Sequence, residues 1–447
     1  MRRSTRASLV ALLLASPTLG FAEAPIPAPV AAPSPTPAAP APTAPQGSDY
    51  RELFRQAMAA REAGDAATYL ARLEAAARVH PEPRQLGFRL AGALALSGKS
   101  DAAIARLEAI AALGIWRDLA AEPDFAPLRG SPRWNGLLQR FAALRQPFGQ
   151  GVVAFRLGER DLLVEGIAFD PARRDFLLGS VHQGKIVRRD ASGAVSTFAV
   201  LAGLAPLGLA VDAARDRLWA VAADLPQLAK REATLQGATF LLAFDLASGR
   251  EVARIAPPAG DGQALNDLVL AADGRVYVSD GQTGAVWTLA PGASLLEPVL
   301  APRSLRSAGG LALDASGRRL LVADWSRGLA LVELADRSWH WVETPPELFP
   351  VGLDGLVADR GGFVAIQNAF EPARVLRFEL TPDGSAVARF EILERARPEH
   401  REPTLGVIVG NDLYYVANSQ WEAFGEAGRP SAPEQLVAPV VLRLPLR

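Results

Sequence analysis

The chain has 447 residues, 49% of them hydrophobic, and is long enough for more than one folded unit with a packed core. Its 48 acidic and 47 basic residues nearly cancel, which argues against nucleic acid or an anionic membrane surface as a partner. The absence of cysteine excludes disulfides, thiolate metal sites and cysteine nucleophiles.

Residues 1–22 are typical of an export signal. A basic start, MRRSTR, precedes a short apolar run and a small-residue cleavage site that ends at Ala22. The apolar run is shorter than the roughly 20 residues of a spanning helix, although an uncleaved membrane anchor is the alternative. We therefore expect a periplasmic or secreted protein with no membrane span after signal removal.

Residues 23–47 form a linker in this interpretation. They are almost entirely Pro, Ala, Ser and Thr. Such a composition cannot bury a core and predicts an extended, semi-rigid spacer.

Residues 48–145 predict an all-α segment that resembles tetratricopeptide repeats. GDAATYLARLEAA from Gly64 matches GKSDAAIARLEAI from Gly98 at an offset of 34 residues, the period of that repeat. His80-Pro81 falls where such a repeat places its closing proline. Because two repeats are fewer than the roughly three that an independent solenoid needs, we favour a helical cap or spacer, with a groove for a protein partner as the alternative.

Residues 150–447 predict a six-bladed β-propeller, so the fold class is mainly β. Related β-rich runs recur at intervals of 42 to 59 residues, beginning at Gly166, Gly208, Asp267, Gly310, Gly355 and Gly406. Six copies of three or four strands each fit the repeat length of propeller blades. The sixth copy lacks a strand, and GVVAFRL at 151–157 precedes the first copy without a partner. We expect this strand to complete the last blade and remove an exposed edge.

Two sets of residues are expected at one mouth of the central channel, because the first two strands of a blade are antiparallel. The residues before the innermost strands are Glu165, Leu207, Asn266, Gly309, Asp354 and Leu405. The residues at the ends of the second strands are His182, Asp280, Asp324, Asn368 and Asn418. Acids in the turns between these strands, such as Asp170, are assigned local hydrogen bonds.

Glu165, Asn266 and Asp354 predict a metal site. Oxygen side chains that face one channel repel each other unless a cation lies among them, and carboxylate and amide oxygens suit Ca²⁺ best, with Mn²⁺ or Mg²⁺ in a tighter geometry and Zn²⁺ as a further alternative. A hydrated polar channel, in which Glu165 accepts backbone N–H groups, is the other interpretation.

The motifs EGIAFD, NDLVLAADGRVYVSD and LDGLVAD resemble the senescence marker protein, gluconolactonase and regucalcin family over residues 150–447, with more distant similarity to paraoxonases and strictosidine synthase-like propellers. The resemblance implies one divalent metal held by Glu165 and Asp354, with Asn266 contacting the substrate. Gly309 stands where the family has a further asparagine ligand. Asp324, from the same blade, is our candidate replacement ligand.

The resemblance implies a metal-dependent hydrolase that opens a lactone or a related ester. In such a mechanism the cation polarises the carbonyl while Asp354 serves as the base, and His182 is the alternative base within this chain. The other interpretation of His182 is a loop histidine that bonds to backbone. Further substrate contacts are expected from Asp280, Asn368, Asn418 and Trp325. No G-x-S-x-G motif occurs, which argues against a serine hydrolase of the α/β type. The rival interpretation is an exported, non-catalytic binding or scaffold protein whose metal site is structural or vestigial.

Overall fold

The computed structural model describes residues 50–79, 83–260, 262–425 and 428–446. The chain divides into two compact units, a helical one that ends at Ala142 and a β-rich one that begins at Ala143. The predicted signal peptide and linker, and His80-Pro81, lie outside the described residues. Among the residues described, no helix is both long and apolar enough to cross a membrane.

The helical unit consists of two helix pairs and a further helix. The helices are α1 (Tyr50–Glu62), α2 (Ala66–Val79), α3 (Phe88–Leu96), α4 (Ser100–Ala112) and α5 (Pro132–Leu144), with a π-turn at Pro83–Gly87 and a 3-10 turn at Pro123–Leu128. Gly64 and Gly98 each have positive φ in the turn within a pair, so the 34-residue offset corresponds to two helix–turn–helix units. Assignment of these pairs to the tetratricopeptide class stays a prediction.

Six four-stranded antiparallel sheets build the β unit, and each sheet is one blade. Blade 1 contains β2 (Val164–Asp170), β3 (Asp175–Ser180), β4 (Lys185–Arg189) and β5 (Val195–Val200). Blade 2 contains β6 (Ala205–Asp212), β7 (Arg217–Ala223), β8 (Thr239–Asp245) and β9 (Glu251–Ile255). Blade 3 contains β10 (Leu265–Leu270), β11 (Val276–Asp280), β12 (Val286–Leu289) and β13 (Glu297–Leu300).

The other three blades repeat this arrangement, which confirms the predicted six-bladed propeller. Blade 4 contains β14 (Ala308–Leu313), β15 (Arg319–Asp324), β16 (Gly328–Glu333) and β17 (Trp339–Trp341). Blade 5 contains β18 (Leu353–Asp359), β19 (Gly362–Gln367), β20 (Arg374–Leu380) and β21 (Val387–Arg395). Blade 6 contains β22 (Gly406–Val409), β23 (Asp412–Val416), β24 (Val440–Pro445) and β1 (Val152–Arg156).

The first strand of the unit closes the ring, as the sequence predicts. β1 pairs antiparallel with β24, with Val152 opposite Arg443 and Arg156 opposite Val440. The outer edge of β24 is therefore covered by a strand from the other end of the unit, which leaves no unpaired row of backbone groups there. Because blades bury both faces against their neighbours, second strands such as β3 and β11 are buried along their whole length.

Glycines let the innermost strands of neighbouring blades approach closely. A Cβ atom on Gly166 would lie 2.0 Å from the carbonyl oxygen of Leu207, and one on Gly310 would lie 2.3 Å from that of Asp354. No side chain fits at such distances, so glycine at these positions is a packing requirement. The residue before each glycine is thereby held at the rim of the channel.

Candidate metal centre

A β-bulge lies at the rim of each of the first five blades. The register between the first two strands shifts between Val164 and Ile167 in blade 1, and at the matching positions of blades 2 to 5. The rim residue therefore leaves the regular ladder, and a bulge of this kind redirects a side chain. Glu165, Asn266 and Asp354 share this local geometry in blades 1, 3 and 5.

Glu165 is a buried acid with one oxygen bound. Its side chain is 7% exposed, and its Oε2 accepts a hydrogen bond from the indole Nε1 of Trp421 at 2.7 Å. Burial raises the pKa of Glu165 well above its usual value, and the charge of Asp354 raises it further. The carboxyl groups of blades 1 and 5 are therefore close enough for their charges to interact.

Asp354 is a half-buried acid that, like Glu165, has one carboxylate oxygen bound by a neutral donor. Its Oδ2 accepts a hydrogen bond from Nδ2 of Asn368 at 2.6 Å, and Asn368 also donates to the carbonyl of Pro403. The indole of Trp325 lies 3.5 Å from the Asn368 amide oxygen. Burial raises the pKa of Asp354 to about 6. The structure thus brings together three of the residues that the sequence predicts for the mouth.

Asn266 lies beside the position where the metal-binding family has its further asparagine. A Cβ atom placed on Gly309 would be 3.8 Å from Nδ2 of Asn266. Asn266 is half-buried. Glycine at residue 309 supplies no oxygen, and Asn266 is the side chain that lies within 4 Å of an added Cβ atom there.

Two further acids belong to this group and were not singled out from the sequence. Burial raises the pKa of Asp267 to about 7 and that of Glu402 also to about 7, and the charge of Asp354 acts on both. The backbone N–H groups of Leu268 and, in the next blade, Leu311 offset part of the rise in the pKa of Asp267. A signal was present for Asp267, because five copies have glycine there: Gly166, Gly208, Gly310, Gly355 and Gly406.

His182 is held between two long loops. It is 6% exposed, its Nδ1 lies 2.8 Å from the carbonyl oxygen of Gln227, and its ring centre lies 4.7 Å from that of Phe424. A carbonyl has no proton to donate, so Nδ1 carries the proton and Nε2 of the neutral ring keeps its lone pair. Within the described part of the chain, Nε2 makes no hydrogen bond.

Asp324 has a different role from the one expected. It is completely buried, its Oδ2 accepts the backbone N–H groups of Arg306 and Ser307 at 2.7 and 3.0 Å, and its Oδ1 accepts that of Ser326 at 3.0 Å. These bonds hold the loop before blade 4 and the turn between β15 and β16. Both carboxylate oxygens of Asp324 therefore already accept backbone N–H groups, so Asp324 does not supply the ligand that Gly309 lacks.

Asp280 and Asn418 also hydrogen-bond to backbone, and their role as substrate contacts stays a prediction. Asp280 Oδ1 accepts the N–H groups of Ala264 and Thr283 at 3.1 and 3.0 Å. Asn418 donates to the carbonyl of Ala438 at 3.0 Å. The physical reason is that side chains at or near the end of a second strand turn back onto the adjoining loops, whose N–H and C=O groups need partners.

Glu165, Asp354 and Asn266 carry oxygens of the type that a hard divalent cation takes. No ion pair to Lys or Arg involves Glu165, Asp267 or Asp354 in the described ranges, so no cationic side chain neutralises these acids when they ionise. Over the same ranges, no three His, Asp or Glu side chains converge closely enough to hold a metal on their own. Two carboxylates and one amide leave room for water or substrate among the 6 to 8 oxygens that Ca²⁺ takes.

No protein-family model matches the chain, and no curated protein matches it. Solved structures with a similar strand arrangement include a gluconolactonase from Xanthomonas campestris, 18% identical, covering 68% of this chain and 93% of that chain with a TM-score of 0.46. The calcium-binding protein regucalcin from Agrobacterium tumefaciens is 16% identical, with coverage of 65% and 93% and a TM-score of 0.46. A PQQ-bound aldose sugar dehydrogenase from Streptomyces coelicolor is 16% identical, with coverage of 67% and 99% and a TM-score of 0.44. At these identities the similarity is one of fold alone.

Proposed function

We propose that the chain is a divalent-metal-dependent hydrolase of the gluconolactonase-like class, which opens a lactone or a related ester at the channel mouth. One observation carries the proposal: Glu165 and Asp354, rim acids of blades 1 and 5, each accept a hydrogen bond from a neutral donor, Trp421 or Asn368, and neither has a cationic partner in the described structure. The charge of Asp354 also raises the pKa of Glu165. Buried charges of one sign are retained when a counter-ion completes the site.

Glu165, Asp354 and the Asn266 amide are the groups that would hold the cation. When bound, a divalent ion polarises the ester carbonyl and stabilises negative charge on its oxygen. Asn368 and Trp325 lie next to Asp354 and are the proposed substrate contacts. Ca²⁺ suits this oxygen set best, and Mn²⁺, Mg²⁺ and Zn²⁺ are alternatives for the same test.

The proposed base is Nε2 of His182 or a carboxylate oxygen of Asp354. His182 has the proton on Nδ1 fixed by the Gln227 carbonyl, so Nε2 is ready to accept one from water. Oδ2 of Asp354 accepts a hydrogen bond from Asn368, which leaves Oδ1 either to bind the cation or to act as the base. The sequence of residues 1–22 adds the proposal that the enzyme works in the periplasm or outside the cell.

The test combines metal binding with turnover. Chelated protein is titrated calorimetrically with Ca²⁺, Mn²⁺, Mg²⁺ and Zn²⁺, and each form is assayed on a panel of lactones and aryl esters. Glu165→Gln and Asp354→Asn are expected to weaken metal binding on the order of 100-fold, about 2.7 kcal/mol, and to abolish turnover. Asp273→Asn, which removes one acid from an exposed turn between first and second strands, is the matched control and keeps both.

A second function is favoured by the glycine at position 309, because the site then has one oxygen ligand fewer than the family that the sequence resembles. In that case the protein is an exported binding or scaffold module with a structural or vestigial metal site, and the helical unit supplies a protein contact. Metal binding without turnover on any member of the panel supports this alternative. If the wild-type protein binds none of the four ions, the metal centre itself is disproved.

A further inference from the structure

We infer that Trp421 is a positioning residue of the metal centre: its indole N–H fixes one oxygen of Glu165 and leaves the other oxygen for the cation. The inference rests on the proposed function for the identity of the centre. It assigns a role to a residue of the loop between β23 and β24, 256 positions away from Glu165 in sequence.

The contact between the two side chains is short and directional. Trp421 Nε1 lies 2.7 Å from Glu165 Oε2, and an indole N–H can donate but cannot ligate a metal. Oε1 of Glu165 makes no hydrogen bond in the portion of the chain that the structure describes. The bond therefore divides the carboxylate into one oriented oxygen and one available oxygen.

The chemistry of the donor matters as much as its position. An Arg or Lys partner would neutralise Glu165 and compete with a cation, whereas a neutral indole N–H orients the carboxylate and leaves its charge. Asp354 is treated in the same way, because the neutral amide of Asn368 binds its Oδ2. Both acids of the proposed centre are thus oriented by neutral donors, the arrangement expected of groups behind metal ligands.

The loop is built to hold the indole in place. The side-chain amide of Gln420 exchanges two hydrogen bonds with the backbone of Val437, each 2.9 Å long. On the other side of Trp421, the backbone N–H of Glu422 donates to Oε2 of Glu402 at 3.2 Å. Gln420 adopts a left-handed φ of 66°, a conformation that a non-glycine residue keeps only when its surroundings require it.

The same loop also reaches the candidate base. Trp421 begins a single 3-10 turn that ends at Ala423, and the next residue, Phe424, places its ring 4.7 Å from that of His182. One short segment therefore touches both an expected metal ligand and an expected base.

The experiment compares Ca²⁺ affinity of the full chain with that of Trp421→Phe, which keeps an aromatic ring and removes the N–H. Affinity is expected to fall about 10-fold, within the range for groups that orient a metal ligand. Trp421→Tyr, whose hydroxyl can donate in place of the indole, is expected to recover part of the loss. Trp287→Phe is the matched control, since the buried indole N–H of Trp287 has no hydrogen-bond partner among the described residues, and it should leave affinity unchanged.

A spectroscopic measurement keeps the inference testable if the variants fold poorly. In ¹⁵N-labelled wild-type protein, the indole resonance of Trp421 should shift when Ca²⁺ is added, while that of Trp287 should not. Equal Ca²⁺ affinity in wild type and Trp421→Phe, or an unmoved Trp421 resonance in protein that binds Ca²⁺, overturns the inference and leaves the metal centre standing. A wild-type protein that binds no Ca²⁺ overturns the proposed function and the inference together.

Discussion

At the scale of single residues, the proposed centre is defined by acids that the fold keeps from ionising easily. Burial raises the pKa of Glu165 well above its usual range and that of Asp354 to about 6. Protons and cations therefore compete for the same oxygens near neutral pH. A divalent ion that displaces the protons supplies the charge that the surrounding protein lacks.

This competition predicts a pH-dependent stabilisation by metal. A carboxyl group whose pKa is raised in the folded state stabilises the fold below its unfolded pKa, near 4, and that stabilisation is lost as pH rises through the folded value. For Asp354 and Asp267, with pKa values of about 6 and about 7, the window runs from pH 4 to 7. Bound Ca²⁺ should offset the loss.

The measurement is the difference in melting temperature between Ca²⁺ and chelator at each pH. We expect it to be near zero at pH 5 and a few degrees at pH 8, since about 1 kcal/mol corresponds to roughly 2–4 °C for domains of about 150–250 residues and to less for larger ones. Burial lowers the pKa of His400 to about 4, which gives the opposite slope, so only the difference at matched pH is diagnostic. Equal increments at pH 5 and pH 8 would contradict the prediction.

Gly309 offers a gain-of-function prediction. Its φ is not in the left-handed region, and an added Cβ would lie 3.3 Å from the carbonyl of Ala323 and 3.8 Å from Asn266, so a side chain fits after a small adjustment. Gly309→Asn should add an oxygen ligand and tighten Ca²⁺ binding by about 10-fold, near 1.4 kcal/mol. Titration calorimetry measures this, with Gly130→Asn, where an added Cβ meets no atom within 4 Å, as the control. Unchanged or weaker binding would argue that the gap is not a ligand position.

At the scale of elements, the position of a side chain relative to the end of its strand decides whether it binds backbone or reaches the proposed centre. Asp280 and Asp324 are the last residues of β11 and β15 and bind the backbone of adjoining loops. Asn368 follows the last residue of β19 and instead reaches Asp354. Successive side chains of a strand point to opposite sides, so neighbouring positions acquire different partners.

Asp324→Ala should therefore damage stability and spare the metal centre. The change leaves the backbone N–H groups of Arg306 and Ser307 without their acceptor, which we expect to cost about 2–4 kcal/mol. Urea unfolding measures the loss, and calorimetry on the folded protein should show unchanged Ca²⁺ affinity. Asp336→Ala, in an exposed turn of the same blade, is the control and should change stability by less than about 1 kcal/mol. Lost metal binding at full stability would restore Asp324 as a ligand.

At the scale of the whole molecule, the site depends on closure of the ring. Glu165 lies in blade 1 and Asp354 in blade 5, and between them the chain closes through the pairing of β1 with β24. The hydroxyl of Thr404 also donates to the backbone carbonyl of Glu165 at 3.1 Å, joining blade 1 to the loop before blade 6. The distance between the two acids is therefore a property of the closed ring.

Two truncated chains distinguish the effect of ring closure by β1 from the effect of the helical unit. A chain that begins at residue 143 keeps β1 and should fold, remain free of aggregates and bind Ca²⁺. A chain that begins at residue 158 lacks β1, exposes the edge of β24, and should aggregate and melt at least about 10 °C lower. Light scattering and thermal unfolding distinguish the two. Equal behaviour of both chains would show that β1 is dispensable for closure.

Much of this organisation was predictable, because it rests on local features of the sequence. Repeat length, turn residues and strand periodicity indicated six blades, and the unpaired strand before the first copy indicated how they close. The glycines that follow Glu165 and Asp354 marked these two as rim residues, and the alignment of the copies placed Asn266 at the same position. Asp267 was detectable in principle, as the one acid at a position that is glycine in the other copies.

The sequence by itself determined the blades, the closing strand and the residue types at the rim, since each depends on neighbours in the chain. Only the tertiary structure decided which oxygens are available. Trp421 donates to Glu165, which is 256 positions away in the sequence, and Asp324 accepts hydrogen bonds from the loop before its blade. The raised pKa values arise from burial, a property of the closed ring, because it is packing between distant segments that removes water from the acids.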